Sequence, residues 1–317
     1  MRIDLASARR EGEWLALVRP AGSDDWPEAG SHPHEVRKRL LASSLFPAKW
    51  INRLFSVGGI RMEGERVLLH AFPAAHLDRS ELYRMAALPP ANPKLEALAV
   101  PLWEDDYALV LNKPAGMRVH GASPGERGTL AEAAARHCLL AGDPQPVRHI
   151  HRLDDDTSGP VLFAKNDLAQ WRLDEAMRGK EVDRRYVAIV QGRLKASRGT
   201  IDLPIGRDRH HRSRRCVTRN GDAAVTHYEV AEQFRSAALV RIRLETGRTH
   251  QIRVHFSHIG HPLLGDGLYG GDVSQLAHQA LHGERLLFRH PLTGEPVEVR
   301  AVRPAWLDRL IGKLRDS

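Results

Sequence analysis

The densest negative charge of this basic chain lies in HIHRLDDDTSG, residues 149–159. Asp154, Asp155 and Asp156 follow a histidine, an arginine and a leucine, and they run into a Thr-Ser-Gly turn. Such a turn can hold a carboxylate in one direction, because its hydroxyls bond nearby backbone groups. Arg152 and a second cation from elsewhere would keep that carboxylate ionised. The pattern therefore fits either an acidic turn capped by cations or one carboxylate held for chemistry.

Two further stretches carry groups suited to a planar or anionic ligand. Tyr186 begins the apolar strand pattern of RRYVAIVQG (184–192) and offers a flat stacking surface with a polar tip. The segment TGRTHQIRVHFSHIGHPLLGD (246–266) has a helical pattern, which places Thr249 and Arg253 on one face. The polar side chains of this segment that suit an anionic partner are Arg248, Thr249, His250, Gln251 and Arg253.

The charge of the whole chain favours a polyanionic partner. Its net charge is +8 and its pI about 9.8, and each phosphate that a cation neutralises releases condensed counterions. Arginine dominates the segment GRDRHHRSRRCVTRNG (206–221), and its planar guanidinium suits phosphates and base edges. The alternative is a solvated loop. The arginines of this segment expected to bind nucleic acid are Arg207, Arg209, Arg212, Arg214 and Arg215.

Composition narrows the classes of protein further. Hydrophobic residues make up 42% of the 317, enough for a sizeable core. The two cysteines, Cys138 and Cys216, are too few for a disulfide framework, which favours a reducing cytoplasm. The first residues, MRIDLASARREGEW, have no apolar core of signal-peptide length, and no run reaches the roughly 20 apolar residues of a membrane span, so we expect a soluble, cytoplasmic protein. The histidines at positions 250–261 raise a metallohydrolase as an alternative, but no known ligand pattern accompanies them, so no metal is expected.

Periodicity and breaker residues divide the chain into three regions. Residues 1–75 contain two helical patterns and the hairpin pattern IRMEGERVLL, which turns at Glu63-Gly64. Residues 76–98 hold three prolines in ALPPANP and are predicted to be an extended linker. Residues 99–317 alternate strands with helices and include hairpins. The predicted fold class is α+β, with a mixed, largely antiparallel central sheet flanked by helices and a small N-terminal α/β module.

Capping signals bound two helices of the third region. Thr129 and Gly142 enclose GTLAEAAARHCLLAG, and Asn166 or Asp167 begins a helix that Gly179 ends. The acidic turn lies between these helices and is followed at once by the buried strand pattern GPVLFAK. The turn is therefore expected at a sheet edge, where a carboxylate can meet a ligand.

Five motifs, taken in order, resemble the RluA-type pseudouridine synthases, a family that modifies large-subunit ribosomal RNA and some transfer RNAs. They are NKPAG at 112–116, HRLDDDTSG at 151–159, RRYVAIVQG at 184–192, TGRTHQIRVH at 246–255 and GHPLLGDGLYG at 260–270. The resemblance covers roughly residues 100–305. The first 75 residues resemble, over about 35 positions, the RNA-binding fold named after ribosomal protein S four. The alternative for them is an N-terminal cap packed on the main domain.

The family resemblance implies roles for particular residues. Asp154, the acid after His-Arg-Leu, matches the catalytic aspartate, and the two acids after it are bystanders. Tyr186 matches the tyrosine stacked under the target base, and Arg253 matches the basic residue paired with the aspartate. Arg152 matches the position that fills the gap left by the extruded base. Beyond the basic segment, the residues expected to contact RNA are Arg152, Thr157, Ser158, Arg248, His250 and Gln251.

The reaction that the resemblance implies is the isomerisation of uridine to pseudouridine after the nucleotide is flipped out. No cofactor is expected, since no atom is gained or lost. We expect a cytoplasmic, monomeric bacterial enzyme acting on 23S ribosomal RNA, with transfer RNA as the alternative substrate. A second alternative is an RNA-binding protein without catalysis, against which the intact Asp154, Tyr186 and Arg253 argue. Whether Asp154 attacks C1′ or removes the 2′ proton stays open.

Overall fold

The computed structural model describes residues 4–20 and 25–316. Within these ranges the chain forms helices and antiparallel sheets. The α-helices are α1 Pro33–Ser43, α2 Ala48–Ser56, α3 Glu81–Ala86, α4 Pro93–Glu96, α5 Leu130–Leu140, α6 Asp167–Arg178, α7 Gln251–His258 and α8 Ala305–Arg315. Among the described helices, none combines the length with the apolar composition that a bilayer crossing needs.

The strands form an N-terminal sheet, two sheets in the rest of the chain and one separate hairpin. They are β1 Arg9–Glu11, β2 Trp14–Leu17, β3 Ile60–Glu63, β4 Arg66–Leu69, β5 Pro101–Glu104, β6 Ala108–Lys113, β7 Arg148–His149, β8 Gly159–Ala164, β9 Asp183–Gln191, β10 Arg198–Asp202, β11 Ile205–Arg207, β12 Arg215–Val217, β13 Val225–Gln233, β14 Ala237–Leu244, β15 Leu281–Arg289 and β16 Pro296–Arg300. The central sheet has the order β10-β13-β14-β9-β15-β16, and its neighbour has the order β5-β6-β8-β7. The strand ladders are antiparallel, so the predicted α+β class is confirmed.

The N-terminal region contains the two helices and the hairpin that its sequence predicts. The hairpin β3–β4 turns at Gly64, whose φ of +59° a glycine adopts without strain. Strands β1 and β2, which were not predicted, complete a sheet of order β1-β2-β4-β3. One apolar cluster joins Trp50 and Ile51 of α2 to Val110 of β6 and Leu162 of β8. The region therefore shares a core with the rest of the chain, and its RNA-binding role stays a prediction.

Residues 76–98 differ from the extended linker that their prolines predict. They form α3 and α4, and Pro93 takes the first position of α4, where its missing N–H is not needed. Tyr83 of α3 is buried, and Arg136 of α5 donates to Glu96 of α4 at 2.6 Å. The segment thus packs on α5, and the proposed domain boundaries on either side of it stay predictions.

The acidic turn lies where the two larger sheets meet. Ser158, at its end, forms a β-bridge with His282 of β15. Gly159 has φ +131°, and a Cβ placed on it would lie 2.5 Å from the carbonyl oxygen of Gly283. Only glycine fits such a backbone and such a close approach. The junction holds the turn at the start of β8, which lies inside its sheet and not at the sheet edge that the sequence predicts.

Candidate active site

An ion pair joins the acidic turn to α7. Asp154 Oδ2 lies 3.1 Å from Arg253 Nη1, although 99 residues separate the two in sequence. The Asp154 side chain keeps 23% of its surface exposed, whereas Arg253 keeps 9%. A charge-assisted hydrogen bond of this kind fixes the direction of the carboxylate. The structure therefore brings together the carboxylate and the cation that the sequence pairs.

Asp266, which we did not predict as a site residue, holds Arg253 from the other side. Arg253 Nε donates to Asp266 Oδ2 at 2.7 Å, and Nη2 donates to Oδ1 at 2.8 Å. Burial disfavours the charged guanidinium, but the hydrogen bonds and charge of Asp266, and then those of Asp154, outweigh it and raise the pKa of Arg253. In the sequence, Asp266 appears only as the acid of the motif GHPLLGDGLYG. Its role in holding Arg253 is visible only from the contact in the structure.

Tyr269 and His250 complete the surroundings of the ion pair. The guanidinium of Arg253 lies 5.0 Å from the centre of the Tyr269 ring. The Tyr269 hydroxyl pairs with His250 Nδ1 at 2.8 Å, and His250 Nε2 lies 3.9 Å from Asp154 Oδ2. Burial lowers the pKa of His250 and raises that of Tyr269 to about 12, so both rings are uncharged at neutral pH. His250, predicted to contact RNA, therefore also borders the aspartate.

Helix α7 begins later than its sequence pattern predicts. His250 has φ +58°, in the left-handed region, and the helix runs Gln251–His258. Thr249 thus lies outside the helix, and the prediction that it shares a helical face with Arg253 is wrong. Instead, Arg152 Nη2 donates to Thr249 Oγ1 at 3.5 Å, which links the acidic turn to the loop before α7.

Asp154, Tyr186 and Arg253 line one pocket that opens to solvent. Tyr186 projects from β9 with 6% of its surface exposed. Burial raises the pKa of Tyr186, so its phenol is neutral at neutral pH. Arg152 and Arg248 line the same pocket. A flat ring, a directed carboxylate and two cations together suit a planar base that carries phosphates.

Comparison with known proteins shows which family this chain resembles. Residues 106–258 match the family described as RNA pseudouridylate synthase. A Bacillus subtilis protein named Uncharacterized RNA pseudouridine synthase YhcT is 47% identical over 211 residues, which are 66% of this chain and 70% of that protein. The chain belongs to the RNA pseudouridine synthase family. A Xanthomonas campestris protein named Ribosomal large subunit pseudouridine synthase D is 43% identical over 231 residues, or 68% of this chain and 69% of that protein.

A solved structure shares the fold of this synthase. It is the protein named Human RNA Pseudouridylate Synthase Domain Containing 1, with a TM-score of 0.58 and 27% sequence identity. The aligned part covers 73% of this chain and 98% of that chain. The predicted fold and the predicted enzyme class, an isomerase acting on uridine in RNA, are confirmed.

Asp154 and Asp155 of the acidic turn make different contacts in this synthase. Asp154 faces Arg253, whereas Asp155 Oδ2 accepts from Arg118 Nε at 2.9 Å with 56% of its side chain exposed. The backbone carbonyl of Asp155 accepts from Lys113 Nζ at 2.6 Å. Lys113 is fully buried, which lowers its pKa to about 8. Asp155 therefore holds the turn in place, and Asp154 is the acid presented to the pocket beside Arg253.

Three side chains predicted to contact RNA make hydrogen bonds inside the protein. Thr157, Ser158 and Gln251 are each at most 4% exposed. Gln279 Nε2 donates to Thr157 Oγ1 at 3.2 Å, and Ser158 Oγ pairs with His282 Nδ1 at 2.8 Å. Gln251 Oε1 accepts from two donors of the loop before α7, at 2.8 and 3.0 Å. These buried, satisfied groups position the loops, although Thr157 and Gln251 also line the pocket, and their contact with RNA stays a prediction.

The basic segment forms the hairpin β11–β12 beside the pocket. The backbone N–H of Arg215 donates to the Tyr269 hydroxyl at 2.9 Å, which ties β12 to the ring that contacts Arg253. Arg214 pairs with Asp208 at 2.6 Å. The hairpin side chains of the predicted set that stay exposed are Arg207, Arg209 and Arg212. These exposed arginines lie next to the pocket, and their contact with RNA stays a prediction.

The histidine segment does not assemble a ligand set in the part of the chain that is described. No three His, Cys, Asp or Glu side chains of those residues lie together as ligands of a metal ion. His255 is buried, and its ring nitrogens lie 2.9 Å from Thr226 Oγ1 and from the carbonyl oxygen of Leu203. Its contacts are those of a core histidine.

Two buried histidines make the synthase fold sensitive to acid. Burial lowers the pKa of His151 to about 3 and that of His282 to about 4, from the usual value of about 6.5. Both stay neutral in the folded protein until the pH approaches their lowered pKa values, whereas the unfolded chain binds two protons as the pH falls below about 6.5. These two sites are expected to lower the free energy of unfolding by up to about 2.7 kcal/mol per pH unit between pH 6 and 4. Urea unfolding at several pH values measures this slope.

A matched pair of variants tests the origin of that slope. His282→Gln keeps an acceptor for Ser158 but cannot be protonated. It is therefore expected to reduce the slope of the unfolding free energy against pH, below pH 6, by about half, the contribution of one of the two protons. His211→Gln removes an exposed histidine and is expected to leave the slope unchanged. An equal slope in both variants would contradict the assignment.

Proposed function

We propose that this synthase converts a uridine of bacterial 23S ribosomal RNA to pseudouridine, with Asp154, Tyr186 and Arg253 as its catalytic residues. The observation that carries the catalytic part is the Asp154 carboxylate, directed by Arg253 at 3.1 Å in a pocket that Tyr186 also lines. Support for the class of RNA comes from relatives named Ribosomal large subunit pseudouridine synthase D, 43% identical in Xanthomonas campestris and in Vibrio vulnificus.

Binding comes first in the proposed mechanism. The target nucleotide leaves its helix at a cost of a few kcal/mol. Stacking of the base on Tyr186, worth about 1–3 kcal/mol, offsets part of that cost. Arg152 and Arg248, both exposed on the pocket wall, supply phosphate contacts, and Arg152 takes the space that the base vacates.

The chemical step breaks the N1–C1′ bond, turns the uracil and joins C5 to C1′. The proton lost from C5 balances the proton that N1 gains, so atoms and charge are conserved. The Asp154 carboxylate either attacks C1′ or removes the 2′ proton, and both paths need its direction fixed by Arg253. The neutral phenol of Tyr186 is a poor base, so its contribution is the stacking surface, and water or Asp154 accepts the C5 proton.

Tritium release from RNA labelled at uridine C5 tests the activity and the class of RNA together. Purified enzyme is given 23S ribosomal RNA, 16S ribosomal RNA and transfer RNA, all deproteinised and free of prior modification. Tritium release from 23S RNA alone supports the proposal. Tritium release from transfer RNA alone would show that transfer RNA is the substrate and contradict the proposal. Pseudouridine maps of cells with and without the gene then locate the uridine.

Substitutions of Tyr186 separate its ring from its hydroxyl. Tyr186→Phe keeps the stacking surface and is expected to retain the single-turnover rate within about 10-fold. Tyr186→Leu loses the aromatic ring, and the lost stacking of about 1–3 kcal/mol is expected to reduce the rate by roughly 10–100-fold. Single-turnover pseudouridine formation at saturating enzyme measures both. A Phe variant as slow as the Leu variant would assign the role to the hydroxyl instead.

We further propose that residues 1–75 add RNA contacts, that residues 99–317 form the catalytic domain, and that the enzyme is a cytoplasmic monomer. The first proposal is supported by α1, where Lys38 is exposed and Arg37 and Arg39 are half-buried. Light scattering of the purified protein, with and without RNA, tests the monomer.

A further inference from the structure

A continuous row of side chains crosses the central sheet from edge to edge. The strand register pairs Arg243 of β14 with Arg185 of β9, Arg185 with Arg285 of β15, and Arg285 with Arg300 of β16. On the other side, Arg243 is paired with His227 of β13. These pairs place four arginines on four consecutive strands and on one face of the sheet. Neighbouring strands lie about 4.8 Å apart, so the four side chains are close neighbours. We call these four arginines the arginine row.

The arginine row lies on the face of the sheet opposite the active site. Arg185 and Tyr186 are consecutive in β9, and consecutive side chains of a strand leave opposite faces. Tyr186 lines the pocket with Asp154, whereas Arg185 lines a groove on the other face. Helix α8 packs on that same face farther along the strands, against Ile189 and Leu239. The row occupies the part of the face that α8 leaves open.

Two more arginines extend the positive charge of this face. Arg241 of β14 stands opposite Glu229 of β13, and Glu229 stands opposite Arg198 of β10. The groove is thus lined by six arginines against two glutamates, Glu229 and Glu284. The arginines of the groove therefore outnumber the carboxylates that face them across the strands. A polyanion would neutralise that surplus.

The arginines of the groove fall into a held set and a free set. Asp183 pairs with Arg185 at 2.8 Å, and Glu298 pairs with Arg285 at 2.7 Å and with Arg300 at 2.6 Å. Within residues 4–20 and 25–316, the free set makes no side-chain hydrogen bond or salt bridge, and all its members are exposed. The free set is Arg198, Arg241 and Arg243. The held arginines are preordered, and the free ones keep all their donors for a ligand.

We propose that this groove is a second RNA-binding surface, which grips the phosphate backbone of a segment outside the active-site pocket. Like charges placed directly opposite each other destabilise a sheet, and Asp183 and Glu298 offset this repulsion only for the held arginines. A guanidinium binds phosphate through two parallel hydrogen bonds. Tyr186 and Tyr228 also border the groove, but Tyr186 lines the active-site pocket and the Tyr228 ring packs on Phe256. The proposed contacts are therefore those of arginines with phosphates, without base stacking. The identity of the bound RNA as substrate rests on the proposed function.

A triple variant tests the groove. Arg198→Ala, Arg241→Ala and Arg243→Ala together remove the free set, whose exposure leaves the fold intact. Affinity for deproteinised 23S ribosomal RNA near 0.15 M salt is expected to fall at least about 10-fold. The slope of log affinity against log salt is expected to become shallower by about 2–3, since each lost phosphate contact contributes about 0.7–0.9. The single-turnover rate at saturating enzyme is expected to stay unchanged.

Two matched variants make the result specific. Lys195→Ala, Arg235→Ala and Arg309→Ala together remove the same charge from exposed positions outside the groove. This control is expected to lose less than about 3-fold in affinity, because only screened, long-range attraction is removed. Replacing the free set by lysine keeps the charge but loses the paired donors of the guanidinium, so it is expected to restore the salt dependence and only part of the affinity. Equal losses in the groove variant and the control would overturn the proposal, as would no loss in either.

The same experiment distinguishes failure of the groove from failure of the proposed function. Binding is measured in an Asp154→Asn background, so it needs no turnover. In one outcome, wild-type enzyme forms no pseudouridine in 23S RNA while the groove variant still binds that RNA more weakly than the control. That result would support the second RNA-binding surface and contradict 23S RNA as the substrate. If pseudouridine forms in 23S RNA and the groove variant binds like the control, the proposed surface is contradicted and the proposed function is not.

Discussion

Replacing Asp154 with Asn is expected to reduce pseudouridine formation by at least about 10³-fold while leaving RNA affinity within about 3-fold of wild type. The amide has nearly the shape of the carboxylate and can still accept from Arg253 Nη1, now at 3.1 Å from Asp154 Oδ2. It can neither attack C1′ nor remove the 2′ proton. Tritium release under single-turnover conditions measures the rate, and filter binding measures the affinity.

The neighbouring acid provides the control for this experiment. Asp155→Asn alters the same turn but touches Arg118 near the surface, at 2.9 Å, so it is expected to retain activity within about 5-fold. Similar losses in both variants would show that the turn's charge or shape matters and not one carboxylate. An Asp154→Asn enzyme with near wild-type turnover would remove Asp154 from the chemistry altogether.

Local signals of the sequence predict individual elements well. Thr129 caps α5 by accepting from the backbone N–H of Glu132, and Asn166 caps α6 in the same way toward Ala169. Gly294 has φ +75° between the predicted strands β15 and β16. Capping and turn residues act within about four positions of themselves, so their physical causes lie entirely within a short window of sequence.

Contacts between distant segments are where the sequence falls short. No local pattern shows that Asp266 closes on Arg253, because that contact depends on how the loop after α7 folds back. His250 has the left-handed backbone that delays α7, a conformation that periodicity does not reveal. Alternation in β14 predicts that Arg241 and Arg243 share a face, but the arginine row exists only because β9 lies between β14 and β15. Strand order is a property of the whole fold.

Removing the charge of Asp266 is expected to damage both activity and stability. Asp266 is 1% exposed and accepts two hydrogen bonds from Arg253. Asp266→Asn turns one acceptor into a donor that faces a guanidinium N–H, and it leaves the buried Arg253 with Asp154 as its one remaining counter-charge among the described residues. Breaking a buried pair in this way costs about 3–5 kcal/mol of unfolding free energy. Turnover is expected to fall about 10²-fold, since Arg253 no longer directs Asp154. Urea unfolding and single-turnover assays measure the two effects.

Coupling between the two residues separates positioning from simple loss of fold. If Asp266 acts through Arg253, then Asp266→Asn combined with Arg253→Lys lowers turnover hardly more than the worse single variant. Asp272→Asn, an exposed acid of the same loop that caps Ser274, is expected to leave turnover and stability nearly unchanged. Rate losses that multiply in the double variant would mean that Asp266 influences the reaction independently of Arg253. In that case the carboxylate of Asp154 would owe its direction to Arg253 alone.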